Sequence, residues 1–254
     1  MRMEPVYASV ITFARGLFGL QGLRCTITGG ENVPAAGGAV MAINHIGYLD
    51  FAFAGMAARP AGRLVRFMAK EQVFRHPVSG PLMRGMHHIP VDREAGAASY
   101  RAAVQALKAG EIVGVFPEAT ISRSFELKEF KNGAIRMAAA AGVPLLPTVI
   151  WGSQRIWTKD HPKRLGRTRT PISLSVGAPI AVSRKDDPEV ALHALRKTMT
   201  ELLHAAQDGY PPLIGDDLKF LPARLGGTAP TPEQAEEMDL AEAAARAAKQ
   251  AGSE

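Results

Sequence analysis

Cysteine is almost missing from this chain. Cys25 is the one thiol in 254 residues, so no internal disulfide can form and a cysteine-rich zinc site is excluded. A lone thiol fits a reducing compartment. Histidine metal signatures are missing too: H-E-x-x-H does not occur, and His87-His88, as neighbours on a strand, point to opposite faces. No metal site is expected. Long apolar runs are also lacking. Phe51 to Ala58 and Val143 to Trp151 fall well short of the roughly 20 residues a membrane-spanning helix needs. There is no G-x-S-x-G elbow to seat a serine nucleophile. Aromatic residues make up only 6%, and the most basic stretch has Trp157 nearby rather than interleaved rings, so nucleic acid is not the expected partner.

What is present describes a folded, basic protein. Apolar residues at 46% and charged residues at 21% exclude wholesale disorder, and the length suits one large domain with a substantial core. The net charge of +6 hides an asymmetry. Residues 228–254 hold six acids and two bases, leaving 28 bases against 18 acids in the rest. A strongly basic body with an acidic appendage points to anionic partners, a phosphorylated substrate or an anionic lipid surface.

The organisation follows from periodicity. Residues 1–24 place Val6, Val10, Ile11, Phe13, Leu17, Phe18 and Leu20 at roughly helical spacing, and Glu4 and Arg15 interrupt any signal-peptide core. This predicts an amphipathic helix, packed on the core or lying in a headgroup layer. Between residues 25 and 225, apolar strand-like runs alternate with helices. Ala39–Ile43, Leu64–Ala69, His88–Val91, Ile112–Phe116, Val143–Ile150 and the alternating Ile172, Leu174 and Val176 read as strands. Helices are expected over 97–109 before Gly110, over 130–141 before Gly142, and from Asp187-Pro188-Glu189 to about residue 206. The pattern predicts a single α/β domain with a largely parallel or mixed central sheet flanked by helices. Residues 226–254 read as a linker followed by an acidic, Ala-rich helix opened by Thr231-Pro232-Glu233-Gln234. With only Met238 and Leu240 as large apolar residues, that helix is expected to be solvated or frayed.

Polar residues gather where predicted strands end: Asn44, His45 and Asp50, then Lys70, Arg93, and Glu118, Thr120, Ser122 and Arg123. Ligands of open α/β sheets bind at the carboxyl ends of strands. His45 has the chemistry of a general base near neutrality, and a carboxylate five residues on can reach the imidazole from behind and fix its tautomer. Without a protein nucleophile, such a pair fits a substrate hydroxyl as the attacking group. A structural histidine remains the competing reading of an isolated H-x4-D.

The segment Asn44-His45-Ile46-Gly47-Tyr48-Leu49-Asp50 resembles the N-H-x4-D motif of the glycerolipid acyltransferases, the 1-acylglycerol-3-phosphate O-acyltransferase family. Phe116-Pro117-Glu118-Ala119-Thr120 is similar to that family's F-P-E-G-T-R-S block. Ile89-Pro90-Val91-Asp92-Arg93 resembles the strand that closes on Arg, and Val143-Pro144-Leu145-Leu146-Pro147 the V-P-x-x-P run. All four stand in the family's order.

The resemblance implies transfer of an acyl group from acyl-CoA or acyl-carrier protein, with no other cofactor, to the hydroxyl of lysophosphatidate, giving phosphatidate. It implies His45 as base and Asp50 as its partner, Arg93 and the Arg of the F-P-E-G-T-R-S block at the acceptor's phosphate, and Asn44, Glu118 and Thr120 around the substrate. Backbone N–H groups after His45 are candidates for the oxyanion. Two positions depart from the pattern: Ala119 replaces Gly, and Ile121 replaces Arg. Arg123 is the expected substitute for the phosphate, with Lys70 as a further cation. The departure leaves glycerol 3-phosphate, another lysophospholipid or a glycolipid open as acceptor. A thioester or phosphoester hydrolase and a non-catalytic lipid-binding module are further alternatives. A lysophospholipid substrate implies peripheral docking at the cytoplasmic face of an anionic membrane. The residues 1–24 helix, Trp151, Trp157 and the basic stretch Lys159, Lys163, Arg164, Arg167 and Arg169 are the expected docking groups.

Overall fold

The computed structural model describes residues 4–92 and 96–251. Helix α1 (Pro5–Gln21) leads into strand β1 (Arg24–Thr28). There follow β2 (Ala39–Ile43), α2 (Asp50–Ala57), β3 (Val65–Lys70), the short helices α3 (Glu71–Arg75) and α4 (Ser79–Gly85), and β4 (Ile89–Val91). Next come α5 (Gly96–Lys108), β5 (Ile112–Val115), α6 (Gly133–Ala141), β6 (Leu145–Trp151) and β7 (Pro171–Val176). Helices α7 (Pro188–Asp208) and α8 (Pro232–Ala251) follow.

Among the described residues seven strands form one sheet in the order β1-β7-β6-β2-β5-β3-β4. Strands β2 to β6 run parallel to one another, so their carboxyl ends share one edge. Strand β7 runs antiparallel to β6, and β1 is parallel to β7. Strand β1 had no clear sequence signal: Arg24-Cys25-Thr26-Ile27-Thr28 alternates exposed and half-buried residues at the sheet edge.

The continuous apolar runs follow from burial on both faces. On β2, Ala39, Met41 and Ile43 pack with Phe18 of α1 and Phe53, Ala54 and Ala57 of α2. Val40 and Ala42 point the other way, among residues of α5, α6 and α7. The helix ends match their residues. Gly142 takes a left-handed φ of 69° at the end of α6. The Asp187 side chain accepts from the Glu189 N–H at 2.9 Å at the start of α7. At α8, Thr231 N–H reaches Gln234 Oε1 at 2.9 Å and Gln234 N–H reaches Thr231 Oγ1 at 3.3 Å, a reciprocal capping box.

Helix α1 packs on the core, as the first of its two expectations has it. Tyr7 and Phe18 are buried, the Tyr7 hydroxyl donates to Val65 O at 2.8 Å, and Glu4 grips the buried Arg66 guanidinium at 2.5 Å. On its outer side Phe13 and Leu20 remain 73% and 78% exposed. Two expectations are corrected. Trp151 is no docking group: it is 1% exposed, packed edge-on against Tyr210 in the core. Nor is α8 frayed: it is mostly solvent-exposed, as expected, but fastened to the domain through ion pairs from Asp239 and Glu242.

Candidate active site

Strands β2 and β5 are neighbours, so the residues that follow them meet at the shared carboxyl edge. Beyond β2 the chain turns through Ile46 to Leu49 before entering α2 at Asp50. Gly47 lies within this turn because a Cβ there would sit about 3.1 Å from Trp157 O and 3.2 Å from Ser153 O. The turn brings Asp50 back beneath His45. Asp50 Oδ2 lies 2.9 Å from His45 Nδ1 and accepts the Ile46 and Gly47 N–H groups at 2.7 and 2.8 Å. Ser153 Oγ, just past β6, donates to Asp50 Oδ1 at 2.5 Å.

This network assigns the histidine tautomer. Oδ2 faces the ring as an acceptor, so Nδ1 carries the proton and the Nε2 lone pair is left available. Nε2 has no hydrogen-bond partner among the described residues. The imidazole is stacked on Phe116 at 4.2 Å and its side chain is 21% exposed, whereas Asp50 is fully buried. An imidazole held by a buried carboxylate on one nitrogen, and without a partner among the described residues on the other, is the chemical content of the site.

Glu118 holds the base from the backbone side. Its Oε1 accepts the His45 N–H at 2.9 Å and its Oε2 accepts the Lys128 N–H at 3.1 Å. Burial pushes its carboxyl up to about 8, against the two N–H bonds that favour the charge. Below its ordinary value of 4.5 both folded and unfolded chains are protonated there. Between 4.5 and about 8 only the folded chain keeps the proton, so stability falls as pH rises through that window. His88 acts with the opposite sign. Burial, and then the Arg66 charge, lower it from 6.5 to about 4, so its contribution is lost as pH falls through that range. His161, which burial also lowers, acts with the sign of His88, and both contributions fade above pH 6.5. The difference between wild type and a Glu118 variant from pH 6.5 to 8 therefore reports Glu118. Relative to Glu118→Gln, the wild type is expected to lose about 1–2 kcal/mol over those 1.5 units, read from denaturant unfolding of both proteins at each pH. An unchanged slope in the variant would assign the decline elsewhere.

The other expected site residues separate into two groups. Asn44 and Glu118 do not face a substrate, because their polar atoms are committed inside the protein. The Asn44 side chain donates to Ile150 O at 3.0 Å and accepts the Ile150 N–H at 2.7 Å, tying β2 to β6. Thr120 is half-buried, with its hydroxyl 3.0 Å from Lys159 Nζ. Arg123 is 8% exposed and surrounded by Asp160, Asp239 and Glu242, so the expected free phosphate ligand is engaged by carboxylates. Lys70 ends β3, two strands away from β2, and is not brought to His45. Arg93 lies outside the described residues. The oxyanion expectation is also corrected for the first three amides after His45: Ile46 and Gly47 donate to Asp50, and Tyr48 donates to Trp157 O at 2.9 Å. No group of His, Cys, Asp and Glu able to hold a metal occurs among the described residues.

A family model described as Acyltransferase matches residues 24–151, half of the chain. The chain belongs to the Acyltransferase family. The match runs from β1 to the end of β6 and contains His45, Asp50 and Glu118. The chain is 37% identical over 123 residues to a 1-acyl-sn-glycerol-3-phosphate acyltransferase of Bacillus subtilis, covering 48% of this chain and 60% of that one. A Borreliella burgdorferi protein of the same name is 29% identical over 145 residues, covering 56% of each. The matched part thus spans somewhat over half the length of these relatives. The fold resembles the crystal structure of the 1-acyl-sn-glycerophosphate acyltransferase of Thermotoga maritima, with a TM-score of 0.67, 20% identity and 81% of each chain covered.

Against the Acyltransferase pattern, the replacement of Gly by Ala119 acquires a geometric meaning. Ala119 adopts φ 61°, the left-handed region that glycine enters without strain and an alanine enters at about 1–2 kcal/mol. The turn is held regardless, by Ser122 N–H donating to His45 O at 2.7 Å and Lys131 N–H donating to Pro117 O at 3.0 Å. Ile121, at the position of the family's Arg, is buried at 4% exposure. Ser153 was missed by sequence reading. Its only signal is a small polar residue just beyond a fully buried strand.

Proposed function

We propose that this protein moves a fatty acyl group from a thioester donor, acyl-CoA or acyl-carrier protein, to the hydroxyl of 1-acylglycerol 3-phosphate, giving phosphatidate for phospholipid synthesis. The observation that carries this reading is the His45–Asp50 pair, with Nε2 bonded to no hydroxyl or thiol among the described residues. Such a base suits a nucleophile that arrives with the substrate. The names of the Bacillus subtilis and Borreliella burgdorferi relatives support the acceptor.

The chemistry follows from the tautomer. His45 Nε2 takes the proton of the acceptor hydroxyl as its oxygen attacks the thioester carbonyl. Asp50 stabilises the imidazolium through Nδ1–H. Collapse of the tetrahedral intermediate breaks the C–S bond, and the departing thiolate recovers the proton from Nε2. Because the amides of residues 46–48 are committed, the oxyanion must be stabilised by other donors.

An acyl chain needs apolar surroundings. A cavity of about 420 Å³ between α1, α2 and β3, lined by Val10, Ile11, Phe18, Phe51, Met56 and Phe67, has the size and lining of a ligand cleft. On this reading the protein docks peripherally at the cytoplasmic face of an anionic membrane, and the exposed Phe13, Leu17 and Leu20 of α1 support contact with lipid. No described helix is long and apolar enough to cross a membrane. Within the basic stretch, Arg167 and Arg169 are exposed, whereas Lys159 and Arg164 are ion-paired.

One observation favours a second acceptor. With Ile121 buried and Arg123 engaged by carboxylates, the phosphate-binding cations differ from the family pattern. Glycerol 3-phosphate, another lysophospholipid or a glycolipid therefore belongs in the same assay. Purified protein is incubated with radiolabelled acyl-CoA or acyl-carrier protein and each acceptor. Phosphatidate as the major product is the expected result. Release of free fatty acid with no need of an acceptor would replace the reading by a thioester hydrolase.

A further inference from the structure

Three cations from two loops converge on one face of α8. Arg123 donates through Nε to Asp160 at 2.5 Å and through its terminal nitrogens to Asp239 and to Glu242, the latter at 2.8 Å. Lys128 Nζ also binds Asp239. Lys159 Nζ reaches Asp239 and Glu242 at 3.1 Å each, and Thr120 Oγ1 at 3.0 Å. Asp239 and Glu242 are three residues apart, so they share one side of the helix.

The cations sit on the segments that support the base. Lys128 N–H and His45 N–H hold opposite oxygens of Glu118. Between Thr120 and Arg123, Ser122 N–H donates to His45 O at 2.7 Å. Beside Lys159, Thr158 Oγ1 donates to Ile46 O at 2.7 Å.

The attachment of α8 is mainly electrostatic. Ala235 is buried, but Met238 is 38% exposed and Leu240 is 65% exposed, so its large apolar residues do little to hold it. The hydrogen bond from Arg123, followed by Lys159, holds the Glu242 carboxyl down to about 2, and Lys128 and Lys159 outweigh burial to keep Asp239 below the usual carboxylate range. Both carboxylates are charged at neutral pH. Together they carry two negative charges and an array of acceptor oxygens, which matches a phosphomonoester dianion. Partly exposed ion pairs of this kind are worth little each and weaken with salt, so an incoming anion can exchange with them.

We infer that Arg123, Lys128 and Lys159 form a binding site for a phosphomonoester, and that α8 is a reversible strap whose Asp239 and Glu242 occupy it until the phosphate displaces them. This rests on the reading that the acceptor carries a phosphate. The strap then sets the apparent affinity for the acceptor, because only the open fraction can bind.

Two measurements test it on the full chain. In the first, amide hydrogen exchange of the wild-type protein is followed with saturating inorganic phosphate, with phosphatidylcholine vesicles carrying lysophosphatidate, and with plain phosphatidylcholine vesicles. Exchange in α8 is expected to quicken with phosphate or with lysophosphatidate, and not with plain vesicles. A response to lysophosphatidate alone identifies the lipid as the source of the phosphate. Unchanged or slower exchange with both anions overturns the strap.

In the second, Asp239→Asn/Glu242→Gln is expected to bind inorganic phosphate about tenfold more tightly by calorimetry and to lower the acceptor KM by a similar factor with little change in kcat. Affinity equal to or below that of wild type makes α8 a buttress for Arg123, whatever the activity. If neither protein transfers an acyl group while phosphate still loosens α8, the acyltransferase reading falls and the strap stands. If acyl transfer is found with phosphate affinity unaltered, the strap falls alone.

Discussion

His45→Ala is expected to lower kcat by about 10²–10⁴ while leaving KM for either substrate within a few-fold. The argument rests on Nε2. Asp50 holds Nδ1 at 2.9 Å and Phe116 fixes the ring plane, so the ring is oriented before any substrate arrives. Removing it deletes the proton acceptor but not the support. Asp50 retains its bonds from the Ile46 and Gly47 amides and from Ser153, and Glu118 still binds the backbone N–H of residue 45. The side chain is mostly buried and its loss leaves Asp50 one partner short, so the unfolding free energy should fall by about 1–2 kcal/mol, less than for Asp50→Ala. Single-turnover measurement of acyl transfer together with denaturant unfolding checks both halves. A variant that transfers acyl groups within a few-fold of the wild-type rate would remove His45 from the mechanism.

Asp50→Ala should cost both activity and stability, and the two losses have separate causes. The buried carboxylate accepts two backbone N–H groups and one hydroxyl in addition to the ring. Truncation orphans the Ile46 and Gly47 amides at about 1–3 kcal/mol each, so the unfolding free energy should fall by about 2–6 kcal/mol. Asp50→Asn separates the effects. The amide oxygen can still accept, so most of the stability should survive, but the side chain no longer carries the charge that steadies the imidazolium. Its kcat is expected to drop by about 10²–10⁴. The pair is compared by urea unfolding and by kcat against pH. An Asn variant as active as wild type would reduce Asp50 to a structural anchor.

Strand-by-strand, much of the architecture was legible because it rests on local signals. Ala39–Ile43 reads as a doubly buried strand from composition alone, and the ends of α6, α7 and α8 are written in Gly142, Asp187-Pro188 and Thr231-Gln234. The His45–Asp50 contact was legible as well, since five residues and a tight turn can be bridged without knowing the rest of the fold. Strand β1 was not: its Arg24–Thr28 residues alternate too weakly, and its place at the edge comes from pairing with β7, 147 residues later. The roles of Asn44 and Glu118 were misplaced for a related reason. A polar residue at a strand end looks alike in sequence whether it faces a ligand or the backbone of a neighbouring strand.

The sequence by itself determined the alternation of strand and helix, the His45–Asp50 pair, and the division into a basic body and an acidic last segment, because each depends on near neighbours or on composition. Only the tertiary structure decided where the charges meet. Asp239 and Glu242 lie more than 110 residues from Arg123 and Lys128, and about 80 from Lys159. Attraction between charges acts through space and carries no sequence period, so a largely solvent-exposed segment is found bound to cations on the loops that support His45.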